Sequence, residues 1–389
     1  MVIAIFYFLA FTALAIGTAA IYMTLIEVFP VRWLYYHYFI RKPINWSIFL
    51  FLIGWAGVIF IQSNHFPIWS IAPLTIVTLA VVLTYKMHQE TAFKAVDFPE
   101  MSVDIKKLPL KPEMQLAVIE YEGVTKCYPL DYVIHHHIIN DRFNGKTVAL
   151  TYCAMCRTII PFDVTDIGPL FVASFKGANM VVADRKTKTF FQQTSFQSII
   201  GKLHPHTLSM IPFQVLPWKE VQNLATEPEI VSVSKKDFRE FQLPIPGIWK
   251  KIMASESTPG LSAKNRDKTF PPRTHVIGVI DFSINGKLVY LKEEVLSKKV
   301  VLNPENGFVL IGIGNTVNGF KVSRNSKDLN FSLQDNKIFE KNSETIWDIR
   351  GKFIEGKMKD NLEVLVVSDE YWFSWKKYHP GSTLITLQP

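Results

Sequence analysis

The sequence predicts an N-terminal transmembrane segment of three α-helices followed by a β-rich domain, all-β or α+β, that is built from two internal repeats. Three observations support this fold class. Long apolar runs are confined to the first 87 residues, short runs of strand-forming residues separated by turn signals follow, and several patterns of the first half return near 156 residues later. Hydrophobic residues make up 48% of the chain, and the mean hydropathy is +0.15. Both values are high for a soluble protein, and the N-terminal runs explain the excess.

The composition divides the chain into five regions. We expect a transmembrane helical region, a polar linker, a first β-rich repeat with the functional site, an inter-repeat connection, and a second, degenerate repeat. Their bounds are residues 1–87, 88–113, 114–232, 233–272 and 273–389. Within the first repeat we expect a short helix from Pro129 to Ile134, since proline is favoured in the first turn of a helix.

Three apolar runs at the N-terminus are candidates for membrane spans. The run from Val2 to Ile26 exceeds the roughly 20 residues that cross a bilayer, whereas Ser47 to Gln62 and Ile71 to Tyr85 need flanking residues to do so. The first run lacks the basic start and the small-residue cleavage site of a signal peptide, so we expect it to be retained. A buried helical domain is the alternative, but apolar residues fill every face of these runs. The predicted partner is therefore the lipid bilayer.

The charges beside the first two spans favour a cytoplasmic domain. Arg32, Arg41 and Lys42 lie in the first predicted loop, whereas residues 63–67 contain no lysine or arginine. The positive-inside rule places the first loop in the cytoplasm, and three spans then place the C-terminal domain there too. The net charge of +8 is compatible with an anionic membrane surface or anionic partners. No basic run is interleaved with aromatic residues, so we expect no nucleic-acid binding.

A β-hairpin around Asn144-Gly145 organises the predicted site. This dipeptide is the strongest short signal for a two-residue hairpin turn, and such a turn fixes the register of the two strands. The register pairs Ile138 with Thr151, and its extension places His136 opposite Cys153. Cross-strand partners have Cβ atoms about 5 Å apart, so an imidazole and a thiol would share one face of the sheet.

The Cys-x-x-Cys sequence after this hairpin has the spacing of a metal-binding knuckle. Structural zinc sites normally use four ligands, of which the two thiolates would supply two. We expect copper or zinc to be the metal, because Met155 adds a soft thioether that would suit copper(I). The predicted metal ligands are Cys153, Cys156, His136 and His137, with His135, His204 and His206 as alternatives for the fourth position.

Two other interpretations of the cysteine pair remain open. In a redox dithiol, Cys153 and Cys156 would be catalytic, with Cys153 as the nucleophile. Such a pair usually precedes a helix, but Pro161 indicates an extended segment here. In the structural interpretation the two cysteines are packed in the core or joined by a disulfide. Arg157 and Gln193 are the candidate anion- or cofactor-binding residues of the pocket, unless they are ordinary surface polar residues.

An internal repeat emerges from patterns that recur in constant order. The matched pairs are Val118-Ile119 with Val276-Ile277, Cys127-Tyr128 with Val289-Tyr290, Thr189 with Thr345, and Trp218 with Trp375. The second copy has no cysteine and no histidine cluster, and the segment that matches the cysteine pair lies near Ile313-Gly314-Asn315-Thr316. We therefore expect the first copy to carry the site and the second to supply scaffold or a pocket wall.

Several motifs of the first copy occur together in one known family. They are Tyr128-Pro129, His136-His137, Asn140-Asp141, the run from Thr151 to Thr158, and Asp184 and Thr187 followed by Gln193, with Phe191 where the family has tryptophan. With the C-terminal run from Tyr371 to Pro380, this combination resembles a bacterial family of unknown function, DUF3179. The similarity covers roughly residues 115–388 and is greatest to membrane-anchored members with three leading helices.

The resemblance implies a location but no activity. Many relatives are exported, which favours a domain on the periplasmic side of the bacterial inner membrane and opposes the loop charges. We therefore predict a multi-pass inner-membrane protein whose duplicated extracytoplasmic domain holds a metal or redox site. The alternatives are a thiol–disulfide oxidoreductase and a non-catalytic binding or assembly subunit of a membrane complex.

Overall fold

The computed structural model describes residues 1–102, 110–222, 228–233, 251, 258–280, 286–323 and 328–387. Much of the predicted inter-repeat connection, residues 233–272, lies outside the described residues. Three long N-terminal helices precede a β-rich domain, which confirms the predicted fold class in these two respects.

Three helices are long and apolar enough to cross a membrane. They are α1 Val2–Leu25, α2 Val31–Ser63 and α3 Ile71–Lys86, and a 3-10 turn, Ile68–Ser70, leads into α3. α1 packs against both other helices. Large apolar side chains such as Phe8 and Leu50 stay exposed on the outside of the bundle, where lipid tails would cover them.

Helix α2 corrects the predicted bounds of the second span. It has 33 residues, or about 50 Å of helix, whereas the apolar core of a bilayer is about 30 Å thick. Arg32, Arg41 and Lys42 therefore lie within a helix and not in a loop. Hydropathy missed the first turns of α2 because Arg32, Arg41 and Lys42 lower their mean hydropathy. These turns extend beyond the apolar thickness that a span requires.

The β-rich domain has two halves. The first half contains the short helices α4 Gln89–Ala92, α5 Leu130–His136 and α6 Trp218–Val221. Its strands are β1 Val96–Asp97, β2 Met101–Ser102, β3 Gln115–Tyr121, β4 Val124–Pro129, β5 Ile138–Phe143, β6 Lys146–Cys153, β7 Thr158–Asp163, β8 Leu170–Lys176, β9 Asn179–Asp184, β10 Phe190–Gln192, β11 Ser198–Ile200, β12 Ser209–Met210, β13 Gln214–Pro217 and β14 Glu229–Val231.

The second half contains a 3-10 turn, Ala263–Asn265, and the helices α7 Lys292–Lys298 and α8 Trp372–Tyr378. Its strands are β15 His275–Val279, β16 Leu288–Leu291, β17 Val300–Asn303, β18 Phe308–Ile313, β19 Thr316–Lys321, β20 Phe331–Gln334, β21 Lys337–Glu340, β22 Thr345–Asp348, β23 Phe353–Glu355, β24 Glu363–Leu365, β25 Val367–Tyr371 and β26 Thr383–Ile385.

The strands of each half pair in the same order. The first half forms sheets β1-β5-β6-β7-β12, β11-β10-β9-β8 and β13-β3-β4-β14-β2. The second half forms β17-β18-β19-β24, β20-β21-β22-β23 and β25-β15-β16-β26. The additional strands of the first half, β1 and β2, come from the predicted linker of residues 88–113, so part of this segment belongs to the sheets.

The two halves contact each other reciprocally. Strand β13 of the first half packs against β19 of the second, and β25 of the second packs against β7 of the first. At the first contact Val215 donates its N–H to the Oδ1 of Asn318 (3.2 Å), and at the second Tyr371 donates its N–H to the carbonyl of Cys156 (3.0 Å). Each half thereby places one strand beside the hairpin of the other.

Two of the predicted matches between the halves are displaced. The strand pairing aligns Val118 with Gly278 and not with Val276, and it aligns Trp218 with Trp372 and not with Trp375. Trp218 begins α6 and donates its N–H to the Met114 carbonyl (2.7 Å), while Trp372 begins α8 and donates to the Thr274 carbonyl (2.8 Å). The counterpart of Trp218 is therefore Trp372, one turn before the predicted Trp375. The sequence pattern favours Trp375 because Trp218 and Trp375 are each followed by a lysine.

The first half of the domain docks on one end of the helix bundle. Lys176 donates from Nζ to the carbonyls of Met23 (2.9 Å) and Ile26 (2.7 Å), which lie at the C-terminal end of α1. These are carbonyls that lack partners within the helix, so the lysine caps them. Tyr35 and Tyr38 of α2 contact the ring of Phe190 on β10. The start of α2 and the end of α1 thus lie on the side of the β-rich domain.

Candidate functional site

The hairpin at Asn144-Gly145 has the predicted register. Ile138 pairs with Thr151, and Phe143 pairs with Lys146 across the turn. Both turn residues have positive φ angles, 45° and 90°, as the two-residue turn requires. The strand β6 continues to Cys153 and so carries the first cysteine to the edge of the site.

The predicted pairing of His136 with Cys153 is wrong. Strand β5 begins only at Ile138, because α5 extends to His136 and ends where His137 adopts a φ of 60°. Cys153 pairs instead with Thr158 on β7. The helix that follows Pro129 ends at His136, two residues beyond the expected end at Ile134. The ladder between β5 and β6 therefore ends before the histidines.

The other histidines are not gathered around the cysteines. The His137 ring is buried against Phe93 (4.6 Å between centroids), and burial lowers the pKa of His137 to about 4. His204 bonds through Nδ1 to the Ser198 hydroxyl (3.0 Å), and His206 lies beside Phe191. Among the described residues, no group of three or more His, Cys, Asp and Glu side chains is placed to hold a metal ion.

Both cysteines of the pair lie in a tight turn and are fully buried. Residues 154–157 connect β6 to β7, and Arg157 donates its N–H to the Cys153 carbonyl (2.7 Å) with a φ of 66°. Ala154 is exposed at the tip of the turn, whereas Cys153 and Cys156 have 0% exposure. Both are free thiols, as is Cys127. The segment after the pair is a strand and not a helix, as Pro161 indicated.

A buried polar network surrounds the sulfur of Cys156. Asn179 donates from Nδ2 to this sulfur (2.9 Å), and the Thr158 hydroxyl lies 3.1 Å from it. Thr194 is at 4.0 Å and accepts a second bond from Asn179 (2.6 Å). Gln193, a predicted pocket residue, accepts from the Thr158 hydroxyl (2.6 Å) and is itself completely buried. The amide and hydroxyl groups thus converge on a single sulfur.

These contacts separate the pKa values of the two thiols. Burial raises the pKa of Cys156, but its hydrogen bonds with Cys153, with Thr158 and with Asn179 outweigh burial and lower it overall. Burial raises the pKa of Cys153 far above its usual range, and its hydrogen bond with Cys156 raises it further. The pair therefore favours a thiolate on Cys156 and a thiol on Cys153.

A cleft between the two halves lies against the outer side of the cysteine turn. Its volume is about 420 Å³, and its lining includes Ala154 and Arg157 from the turn and Asp369 and Tyr371 from β25. Arg157, the other predicted pocket residue, forms an ion pair with Asp369 (3.9 Å). Lys292 also contacts Asp369 (2.6 Å), and Arg157, Lys292 and His275 keep the pKa of that carboxyl below its usual range against the opposing effect of burial.

Several residues of the family-like motifs stabilise the fold instead of contacting the cysteines. Asp141 accepts hydrogen bonds from the Tyr128 hydroxyl (2.6 Å) and from Lys126 (3.1 Å). Asp184 accepts from the Thr187 hydroxyl (2.6 Å) and from the N–H of Thr189 (2.9 Å) and so closes the turn before β10.

Sequence reasoning missed Asn179, Thr194 and Glu370. Asn179 begins β9 after a tight turn, and only the tertiary fold brings it to Cys156. Thr194 directly follows Gln193 and could have been included with it. Glu370 lies in a strand of the second half, for which the absence of cysteine and clustered histidine predicted scaffold or a pocket wall.

Together these features define a class of protein with apolar N-terminal helices and a two-part β-rich domain that buries a Cys-x-x-Cys pair. The chain belongs to the DUF3179 family, whose description is "Protein of unknown function (DUF3179)" and whose sequence model matches residues 92–382. This match covers both halves of the β-rich domain and so confirms the resemblance. No curated protein and no solved structure matches the chain.

Proposed function

We propose that Cys153 and Cys156 form a redox-active dithiol in a membrane-anchored thiol–disulfide oxidoreductase. The observation that supports this most strongly is the set of donors around the Cys156 sulfur, above all the Asn179 amide at 2.9 Å. A hydrogen bond to a charged group contributes about 1.5–3 kcal/mol, enough to favour a buried thiolate. The thiolate is the nucleophilic form of cysteine.

The proposed reaction assigns different roles to the two sulfurs. The Cys156 thiolate attacks one sulfur of a partner disulfide, forms a mixed disulfide and releases the second partner sulfur as a thiolate. Cys153 then loses its proton and attacks the Cys156 sulfur. This breaks the mixed disulfide, forms the Cys153–Cys156 disulfide and releases the first partner sulfur. The lowered pKa of Cys156 thus argues for Cys156, not the predicted Cys153, as the first nucleophile.

Access to the buried thiols requires the cysteine turn to open. Ala154 at its tip is exposed, and the turn is held by the bond from Arg157 to Cys153 and by that from Tyr371 to Cys156. Arg157 and Tyr371, which donate these two bonds, line the cleft between the halves, so we place the partner disulfide there.

Metal binding is the competing hypothesis for the same pair. Two thiolates are half of the usual four-ligand set, and the described residues place no third cysteine, histidine or carboxylate with them in a metal-holding group. Two thiolates alone are too few donors for a structural copper or zinc site, so the described geometry favours the dithiol over the metal.

One experiment separates these functions. The purified full chain is equilibrated in glutathione buffers of graded potential, its thiols are alkylated after unfolding and counted by mass, and its metals are determined by elemental analysis. We expect two thiols to disappear together in wild type and in Cys127→Ser, but not in Cys153→Ser or Cys156→Ser. Cys127 is the control because burial raises its pKa to about 12. Three thiols that persist at every potential would contradict the proposal, and stoichiometric metal lost in Cys153→Ser would support the rival.

We also infer that the domain is extracytoplasmic, as the resemblance favoured. The opposing charge argument weakens because Arg41 is buried and lies 3.7 Å from Glu90, so its charge is balanced within the protein. Alkaline phosphatase fused to the C-terminus should be active, since it requires disulfides that form outside the cytoplasm. An inactive fusion together with a fluorescent cytoplasmic reporter at the same position would place the domain inside.

Duplication of one ancestral unit is the simplest origin for the two halves. It is supported by the shared order of strand pairing and by shared details of local structure. His137 and Lys299 both end a short helix with φ near 60° and accept a hydrogen bond from the following hairpin, from Tyr152 and Gly312 (2.7 Å each). A non-catalytic subunit of a membrane complex is the remaining alternative function. It is compatible with the same duplication, but it would not require the polar network around Cys156.

A further inference from the structure

We propose that Glu370 is the group that transfers protons to and from the cysteine pair, an inference that rests on the proposed dithiol function. Glu370 lies on β25, in the second half, and its side chain has 0% exposure. Ser368 donates to one carboxyl oxygen, Oε1 (2.8 Å). The other oxygen, Oε2, is buried without a hydrogen-bond partner among the described residues. A carboxyl left in this state is costly unless it has a function or holds a proton.

The backbone places Glu370 next to the residue that bonds to the cysteine turn. The next residue, Tyr371, donates its N–H to the carbonyl of Cys156 (3.0 Å), and β25 packs against β7, which follows the cysteine turn. Cys153, Cys156 and Tyr371 belong to one buried cluster. The second half thereby contributes an ionisable group to a site whose sulfurs all come from the first half.

Comparison of the halves shows that packing alone does not demand a carboxyl at this position. Glu370 pairs with Val276 on β15, and the residue in the matching place of the first half, Leu216, pairs with Leu116 on β3. Leu216 is also fully buried and lies in an apolar cluster. The same strand position therefore accepts leucine where no cysteine turn adjoins it and holds glutamate where one does.

The electrostatic surroundings keep a proton on Glu370 at neutral pH. Burial and the charge of Cys156 raise the pKa of Glu370 to about 8, Asp369 adds to the rise, and the Ser368 hydroxyl opposes it. Tyr378 also faces the pair, but burial raises its pKa and its hydroxyl donates to the carbonyls of Lys176 and Gly177 (3.0 Å each). The site consequently carries one negative charge, on Cys156, and one transferable proton, on Glu370.

This arrangement completes the proton balance of the exchange reaction. When the Cys156 thiolate attacks the partner disulfide, the released partner sulfur takes the proton of Glu370. The Glu370 carboxylate then accepts the proton of Cys153. The Cys153 thiolate attacks the Cys156 sulfur and releases, as a thiolate, the first partner sulfur, which had been bound to Cys156. Glu370 ends protonated as it began, and the protein has lost two electrons to the partner disulfide.

The test compares Glu370→Gln and Glu370→Asp with wild type in the full-length protein. Glu363→Gln, an exposed change of the same kind in the same half, is the control. Hydroxyethyl disulfide is the probe substrate, and the two exchange steps are followed by mass between pH 6 and 10. We expect Glu370→Gln to accumulate the mixed disulfide, with resolution slowed at least about 10-fold, as for loss of a general base. Glu370→Asp should restore part of the rate.

A second readout distinguishes a proton-transfer role from a structural one. The rate of Cys156 alkylation by iodoacetamide should show two inflections with pH in wild type and one in Glu370→Gln, because only wild type has a second titrating group beside the sulfur. If the variant fails to fold, infrared spectra of wild type should show a buried protonated carboxyl at pH 7 that is lost by pH 9.

The outcomes separate the two proposals. If wild type forms the disulfide but Glu370→Gln retains the wild-type pH profile and resolution rate, Glu370 is a packing residue and the inference is wrong while the dithiol stands. If wild type never forms the Cys153–Cys156 disulfide, the dithiol function fails first.

Discussion

The two halves of the β-rich domain share a strand order but differ at the turn that matters chemically. Residues 154–157 connect β6 to β7 and hold the cysteine pair, whereas only Gly314 and Asn315 connect β18 to β19. The hairpin of β8 and β9 is also longer than that of β20 and β21, and the longer hairpin carries Asn179 to Cys156. Two local extensions thus distinguish the half that holds the cysteines, while the order of strand pairing is the same in both halves.

The difference is not confined to the half that holds the sulfurs. Leu216 and Val215 on β13 correspond to Glu370 and Asp369 on β25. Asp369 and Glu370 therefore lie on a strand that packs against the half that holds the cysteines. The half without cysteines is therefore part of the proposed site and not only its scaffold.

The largest expected effect concerns Glu370 and the pH dependence of stability. A carboxyl whose pKa is raised from 4.5 to about 8 on folding binds more protons in the folded state between these values. Its contribution is fully present below pH 4.5 and is lost as pH rises through 8, by about 5 kcal/mol in all and by about 3 kcal/mol between pH 6 and pH 9. Denaturant unfolding of wild type and Glu370→Gln at pH 6 and pH 9 measures this. An equal change with pH in both proteins would contradict the ionisation of Glu370.

A smaller effect tests how differently the two halves are packed. A Cβ on Gly278 would come within 1.9 Å of the Trp375 ring, whereas the matching strand position of the first half holds Val118. Gly278→Ala should destabilise the protein by about 3 kcal/mol, the upper range for overpacking. Val118→Ala, the reverse change in the other half, should cost about 1–2 kcal/mol by loss of buried methyl groups. Equal losses of unfolding free energy in the two variants, measured by chemical denaturation, would show that the two cores do not differ in packing at this position.

The polar network predicts a change in thiol reactivity with little change in fold. Asn179→Leu removes the amide that donates to Cys156, so the pKa of Cys156 should rise by about one unit, for a loss of about 1.5 kcal/mol, and its alkylation at pH 5 should slow about 10-fold. Asn318→Leu makes the same change at the reciprocal contact of the second half, where the amide meets the Val215 backbone. It should leave alkylation unchanged within twofold; equal slowing by both substitutions would point to a global effect.

The smallest effect concerns docking on the helix bundle. Lys176→Met removes two hydrogen bonds to the end of α1 and should raise hydrogen exchange of the last turn of α1, with a cost of about 1–2 kcal/mol. The second half touches the same region through Lys377, whose partly exposed pair with Glu27 is 3.6 Å long. Lys377→Met should therefore have little effect, because such surface pairs contribute at most about 1 kcal/mol.

Local signals in the sequence were sufficient for much of the fold. The three apolar runs and the Asn144-Gly145 turn gave the membrane helices and the register of β5 with β6, because both depend on neighbouring residues alone. The ladder failed at His136 because a helix of seven residues, Leu130–His136, competes for those positions, and the extent of a short helix is set by tertiary packing.

The chemical environment of the site could not be read in the same way. Asn179 and Glu370 reach the cysteines only through long-range packing of a hairpin and of a strand from the other half. Their sequence neighbourhoods, a tight turn and a strand end, carry no mark of this role. Position and spacing therefore identified the sulfurs, and only the fold identified the groups that set their protonation.

The reduction potential of the Cys153–Cys156 pair decides whether this buried site is a redox centre. Full-length protein equilibrated across a series of glutathione potentials should convert cooperatively from two thiols to one disulfide, with Cys127 remaining alkylable after unfolding throughout. If both sulfurs stay reduced over the whole range, or if oxidation consumes Cys127 equally, the dithiol is not the function of this domain.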